Sequence, residues 1–399
     1  MSSYIDVNLI KKEIKKLNIP KQYLNLNIDA IFTHEYSIFL STRESAKTTE
    51  SLIIGLTMYK LWRTQTIYVR CDNEQTTRSK IETLYGVVQK CRYVEAIFPN
   101  MYNDIEYSAT KKCFYLIARD GEGAVIKRDD TPFCYVISNE HWLKYKSSMN
   151  IPKGDYFIFD EFLDSSRATL NQMVELWNNI STIGRVEDPT RRDNVHICML
   201  ANNVDEDSFW WDEFQIASNV KDMKHFGESF ETTTELGTSI YFKTIDLNNE
   251  RKERIKNKQI KFFGFTTRRA AQFTGTQIWS GLDYPHLPDR SWITEGDKVF
   301  DDFYIFHRDR YIRIDLYYNK DHQYFCFAHW SNKPKYDDKI IFTLNPTAEN
   351  EFYGFGDYTE AKNLYDKMVK LLRLKKENRW YYENNRIGSI IKDYEKNID

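Results

Sequence analysis

Nowhere does this 399-residue chain hold a long apolar run. None approaches the roughly 18 residues that a membrane-spanning helix needs, and the N-terminus lacks the apolar core of a secretory signal. Cysteine is sparse: six residues, at 71, 91, 113, 134, 198 and 326, with no C-x-x-C pair, so neither a disulfide framework nor a zinc module is indicated. The eight histidines form no H-E-x-x-H or Cys/His ligand spacing. Net charge is also nearly missing, since 56 Lys+Arg against 58 Asp+Glu leave −2. That excludes a molecule coated in positive charge for nucleic acid but leaves room for a local basic surface. What is present is 41% hydrophobic and 15% aromatic residues, too many for a disordered chain. At about 150 residues per domain the length allows two to three domains. The expectation is a soluble, multidomain protein of a reducing compartment that needs no membrane.

Along the chain, Ile10, Ile14 and Leu17 recur at helical spacing among lysines, and Pro20 stops the pattern. Apolar runs then alternate with helical segments. YSIFL (36–40), TIYVR (66–70), YFIFD (156–160) and VHICML (195–200) read as buried strands, with helical segments reaching about Trp62 and Lys90 after the first two. CFYLIA and AVIKR around Asp120-Gly121 read as a hairpin. This alternation indicates an α/β domain with a mostly parallel sheet covered on both faces. Past about residue 245 the texture changes. Residues 251–269 hold eight Lys/Arg and one Glu, a local sum of +7. Next come a Gly/Pro/Asp-rich stretch and two aromatic runs, DFYIFHRDRYIRIDLYY and QYFCFAHW, which read as antiparallel strands of the core, followed by helical segments near 358–376 and 384–396. The expected organisation is an α/β domain over 1–245, a basic linker over 246–288 and a smaller α+β domain over 289–399.

The most informative octapeptide is Ser41-Thr42-Arg43-Glu44-Ser45-Ala46-Lys47-Thr48, between a buried strand and a helix. In a P-loop, backbone N–H groups and the helix N-terminus cradle phosphate oxygens. Lys47 would then reach the β/γ-phosphates and Thr48 would ligate Mg²⁺. Ser41 and Ala46 stand where the motif has glycine, and an alanine forced to positive φ costs about 1 kcal/mol. Asp160-Glu161 closes a buried strand, where an acidic pair is costly unless it holds a metal or polarises a water. In P-loop enzymes the first acid supports Mg²⁺ and the second orients the attacking water. Asn202, after the strand 195–200, is positioned to sense a γ-phosphate, although Asn202-Asn203 also suits an ordinary turn. Arg191 and Arg192, with Arg185 upstream, are candidates for an arginine finger supplied to a neighbouring subunit, or for solvated surface residues.

Taken in order, STRESAKT, TIYVR, FYLIARDGEG, IFDEF, the Arg-rich loop and VHICMLANN resemble the DNA-packaging ATPases of small podophages. These are the encapsidation proteins of the phi-twenty-nine-like group, relatives of terminase large subunits. The resemblance covers the whole chain, best over 36–70 and 156–204. It implies a RecA-like, additional-strand (ASCE) P-loop ATPase that uses ATP and Mg²⁺. Such proteins form a homomeric ring, usually a pentamer, at the portal of a procapsid in the bacterial host cytoplasm, with a packaging RNA as a further partner in some relatives. ATP hydrolysis there drives double-stranded DNA into the shell. By motif, Arg43 is the P-loop arginine of viral packaging motors, Lys47 and Thr48 meet phosphates and Mg²⁺, Asp160 supports Mg²⁺ and Glu161 activates water. Asn202 falls at the coupling motif and Arg191 or Arg192 near the trans-acting arginine. Lys252, Lys256, Lys258, Lys261, Arg268 and Arg269 of the basic linker could contact DNA phosphates without reading bases.

The C-terminal domain resembles the RNase H-like nuclease fold of terminases. Two-metal nuclease chemistry needs converging carboxylates around metals about 4 Å apart. The sequence places only Asp315 inside a strand, with Asp302 and Asp309 expected at strand ends or turns, so a vestigial nuclease is the favoured reading. The alternatives are a terminase-type subunit whose nuclease is active, and a scaffold whose P-loop has decayed.

Overall fold

The computed structural model describes residues 5–41, 45–141, 151, 153–163, 169–183, 195–202, 208–223, 227–247, 253, 298–318, 323–335, 339–357, 373–376 and 379–395. The chain divides into two compact units. The first is formed by Met1–Ser165, Asn171–Val204 and Ser218–Trp279, and the second by Ser166–Leu170, Asp205–Ala217 and Ser280–Asp399.

The first unit is mixed α/β around one large sheet. Its strands are β1 (Tyr36–Ser41), β2 (Thr66–Arg70), β3 (Asp104–Ser108), β4 (Cys113–Arg119), β5 (Val125–Arg128), β6 (Cys134–Ser138), β7 (Tyr156–Asp160), β8 (His196–Asn202), β9 (Ser229–Thr233) and β10 (Ser239–Ile245). Their order is β3-β4-β6-β2-β7-β8-β1-β10-β9, with β5 added to β4 as the expected hairpin. The six strands from β6 to β10 are mutually parallel. Every residue of β1 and β7 is buried, which is why these strands read as unbroken apolar runs rather than as alternation.

Two helices on one face shape the N-terminal part. Helix α1 (Val7–Lys15) is capped by the Asp6 carboxylate, which accepts from the N–H groups of Asn8 and Leu9, and it buries Ile10 and Ile14. It ends before the residues expected from Pro20 alone. Helix α2 (Lys47–Trp62) is buried from Lys47 through Tyr59 apart from Thr48 and Thr49. A helix apolar around its circumference is one that packs on all sides. The helical stretch expected after β2 is broken into short helices, Arg78–Ile81, Gly86–Lys90 and, beyond it, Tyr93–Ile97. Arg92, at φ 55°, sits in the left-handed region and starts the last of them afresh. Among the described residues no helix is long and apolar enough to cross a membrane.

The second unit carries a six-stranded sheet: β11 (Lys298–His307), β12 (Arg310–Tyr318), β13 (Tyr324–Ser331), β14 (Ile341–Thr343), β15 (Glu351–Tyr353) and β16 (Trp380–Tyr382). The order is β15-β14-β11-β12-β13-β16. β11, β12 and β13 form an antiparallel meander, and β14, β15 and β16 each join parallel to their neighbour. The first aromatic run is therefore two strands, turned at Arg308-Asp309, where Arg308 has φ 60°. Phe303, Ile305, Ile312, Ile314, Trp380 and Tyr382 pack with Ile387, Ile390, Ile391 and Tyr394 of the C-terminal helix Asn385–Glu395, so these aromatics are core. One expectation is corrected here: Asp302 lies inside β11 rather than at its end. Lys298–Asp301 extend the strand by pairing with the far end of β12.

Gly55 ties α2 to the sheet, because a Cβ built there would lie 2.2 Å from Thr66 Oγ1 at the start of β2. Gly55→Ala is expected to cost about 1–3 kcal/mol by overpacking, whereas Gly121→Ala, with nothing within 4 Å of its Cβ, should be neutral. Urea unfolding of both variants checks this, and equal midpoints would contradict the close approach.

Candidate functional site

Polar side chains converge where the parallel strands end. Ligands of open α/β sheets bind at that edge, beyond the carboxyl ends of the strands. Ser41 ends β1, Asn202 ends β8, Asp160 ends β7 and Arg70 ends β2, and these four strands are successive neighbours. Register fixes the alignment: Ser41 pairs with Asn202 and Asp160 with Leu200.

Lys47, only 5% exposed, opens α2 directly after the loop. Its Nζ donates to Asn202 Oδ1 at 2.6 Å and to Ser41 Oγ at 3.0 Å. Ser41 Oγ also lies 2.6 Å from Ser45 Oγ. Ala46, before the helix, has φ 66° and ψ 10°. Alanine thus takes the left-handed conformation that glycine would adopt freely, with the steric cost anticipated from the sequence. Next to it, Thr48 Oγ1 donates to Asp160 Oδ2 at 3.0 Å.

The acidic pair is held from β2. Tyr68 donates its hydroxyl to Asp160 Oδ2 at 2.8 Å, and Arg70 Nη2 stands 3.7 Å from the same oxygen. Arg70 Nη1 donates to Glu161 Oε2. Burial, then the Asp160 charge, raises the Tyr68 phenol well above its ordinary range, so it remains a donor. Burial opposes the charge on Arg70, but Tyr68, Asp160 and Glu161 together raise its pKa. Glu161 has φ 58°, a conformation uncommon outside glycine, and its N–H donates to Leu200 O at 2.7 Å. Strained backbone of this kind collects at functional positions.

A second tier reaches the loop from behind. Asn25 Nδ2 donates to Ser45 O at 3.1 Å, and Lys243 Nζ donates to Asn25 O at 3.0 Å. Glu50, one turn into α2, accepts from the N–H groups of Asn25 at 2.7 Å and Leu26 at 3.0 Å. Burial pushes the Glu50 carboxyl up to about 7 against the opposing pull of those two N–H groups and Lys243.

Of the residues singled out from sequence, the structure brings together Ser41, Ser45, Ala46, Lys47, Thr48, Asp160, Glu161 and Asn202. Thr42, Arg43, Glu44, Arg185, Arg191, Arg192, Asn203, Lys252, Lys256, Lys258, Lys261, Arg268 and Arg269 lie outside the described residues. Sequence reasoning missed Tyr68, Arg70, Asn25 and Glu50. The only signal for them was an arginine closing the apolar run TIYVR. In the second unit, Asp302 and Asp315 are register partners on β11 and β12, while Asp309 sits in the intervening turn. Among the described residues no group of three or more His, Cys, Asp or Glu is arranged to hold a metal ion. Mg²⁺ needs few protein ligands beside water and substrate phosphates, and the Thr48 hydroxyl beside the Asp160 carboxylate offers a fitting oxygen pair.

Over nearly its whole length the chain shares the fold of solved phage packaging motors. It is similar to the Phi-28 gp11 DNA packaging motor with a TM-score of 0.52 at 14% identity, covering 92% of this chain and 95% of that one. It is similar also to the bacteriophage Phi-29 viral genome packaging motor assembly, with a TM-score of 0.51 at 15% identity, covering 94% and 100%. No family profile and no curated protein sequence matches the chain. The likeness read from the motifs therefore holds at the level of fold.

Glu50 gives this site a pH signature. Its folded pKa, about 7, lies above the 4.5 of an ordinary glutamate, so the folded state binds more protons in between. Stability from this group is complete below the lower value and is lost as pH rises towards the upper one. Glu50→Gln, which keeps an acceptor without the charge, should gain in Tm relative to the parent as pH goes from about 5 to about 8. A pH-independent difference between the two melting curves would refute the buried carboxyl.

Proposed function

We propose that the chain is a RecA-like, additional-strand P-loop ATPase whose hydrolysis cycle translocates double-stranded DNA into a viral procapsid. The observation that carries this reading is the joining of Lys47, Asn202, Thr48, Asp160 and Glu161 across the ends of β1, β8 and β7. β8 lies between the loop strand and the acidic strand, as the additional-strand class requires. The motor assemblies of similar fold support the choice of DNA packaging among P-loop functions.

In this reading the loop 41–48 wraps the phosphates of ATP, and Lys47 exchanges its neutral oxygen partners for β/γ-phosphate oxygens. Thr48 and Asp160 would hold Mg²⁺, whose chemistry is to neutralise charge on the transferring phosphoryl group. Glu161 orients and polarises the attacking water, and Asn202, already bonded to Lys47, registers whether a γ-phosphate is present. Arg70 holds the Glu161 carboxylate in place through its Nη1. Arg43 would meet phosphate from the loop. Arg191 or Arg192 would complete the site of a neighbouring subunit in a ring, a pentamer by the family resemblance. The basic stretch 251–269, including Lys252, Lys256, Lys258, Lys261, Arg268 and Arg269, would follow DNA phosphates without sequence preference. The portal, and a packaging RNA where one is used, would be the other partners, met in the host cytoplasm. The strand order of the second unit, a meander flanked by parallel strands, supports an RNase H-like domain, which we read as non-cleaving.

ATP turnover with double-stranded DNA and procapsids tests the reading. Lys47→Ala should abolish nucleotide binding and turnover, and Glu161→Gln should still bind ATP while turnover falls by about 10²-fold or more. Full turnover in Lys47→Ala would end the P-loop assignment. For the trans arginine, mixing Glu161→Gln subunits with Arg191→Ala or Arg192→Ala subunits should restore part of the activity that each loses alone. If neither arginine variant loses activity, the shared site is wrong.

A further inference from the structure

The second unit buries two carboxylates side by side. Asp302 and Asp315 are register partners on adjacent antiparallel strands, with side chains 9% and 0% exposed. Like charges directly opposite each other destabilise a sheet, and a carboxylate removed from water needs a cation, a shared proton or a metal ion beside it.

Here the chain supplies the cations. Arg313 Nε lies 2.6 Å from Asp315 Oδ1 and 3.2 Å from Asp302 Oδ2, bridging the two acids. Lys339, next to β14, pairs with the other oxygen of Asp302. His329 on β13 brings Nε2 to 3.2 Å from Asp315 Oδ2, and its Nδ1 lies 2.8 Å from Trp330 O. Tyr317 donates its hydroxyl to Asp315 Oδ2 at 3.2 Å. Strand pleat explains the gathering: Asp302, Arg313, Asp315 and His329 occupy positions of alternating register that project from one face of β11, β12 and β13. The aromatic cluster of Tyr317, Phe325 and Phe327 lies on neighbouring strand positions.

We infer that Arg313 and Lys339 are the built-in cations of the Asp302–Asp315 pair, standing where a divalent ion would otherwise bridge the carboxylates. The Asp302–Asp315 pair is thereby closed to metal, and the three-stranded meander is fastened there by ion pairs rather than by an ion. Removing both cations leaves the two buried carboxylates without guanidinium or ammonium beside them and opens the pair to a divalent cation. The inference rests on the second unit alone and stands whether or not the first unit turns over ATP.

The test is Mn²⁺ binding to the nucleotide-free full-length protein, followed by electron paramagnetic resonance. Parent and Asp315→Asn should bind the same amount of Mn²⁺. Arg313→Ala/Lys339→Ala should bind one further ion per chain, lost again when Asp315→Asn is added. A parent whose Mn²⁺ binding falls on Asp315→Asn would overturn the inference, as would a folded double variant that gains no ion. Should the double variant lack a cooperative thermal transition, a cycle of Arg313→Gln and Asp315→Asn decides. Asp315→Asn should lower Tm in the parent and much less beside Arg313→Gln, whereas equal drops in both backgrounds would overturn the pairing.

Discussion

A lysine ammonium cannot be buried at the end of a sheet unless oxygen surrounds it, and much of the first unit is arranged to meet that demand around Lys47. Ser41 from its own loop and Asn202 from the neighbouring strand bring neutral oxygens to within 3.0 Å and 2.6 Å. Both are neutral dipoles, which stabilise a buried charge by hydrogen bonding. The acids instead stand one strand further on, where Thr48 and Tyr68 meet Asp160 and Arg70 meets Glu161.

The second unit answers the opposite problem in the opposite way. There the buried charges are negative, and Arg313 with Lys339 neutralises them directly. In one unit neutral oxygens of Ser41 and Asn202 meet a buried ammonium, and in the other cations meet buried carboxylates. Both rest on the same constraint, that desolvation is costly for an isolated ion and tolerable for one already partnered.

Backbone strain marks the first site as well. Ala46 and Glu161 both take positive φ without glycine's freedom, one just before α2 and one just after β7. Each is held by hydrogen bonds: Ala46 O accepts from Glu50 N at 2.9 Å, and Glu161 N donates to Leu200 O at 2.7 Å. The surrounding sheet and helix thus supply the energy that keeps these conformations in place.

Local chemistry along the chain determined a good deal. Largely apolar runs at 36–40, 66–70 and 156–160 marked parallel strands buried on both faces, Asp120-Gly121 marked the hairpin, and Ala46, standing where the motif has its second glycine, marked a position open to left-handed strain. Those are properties of a few consecutive residues. The tertiary structure alone decided which strand lies beside which. Asn202 reaches Lys47 across 155 residues and Arg70 reaches Glu161 across 91, contacts that exist because β8 pairs between β1 and β7 and β2 beyond β7. The same holds for Asp302, which local pattern put at a strand end and cross-strand pairing placed opposite Asp315. Strand order follows from burying all faces at once, and no short stretch of sequence carries that sum.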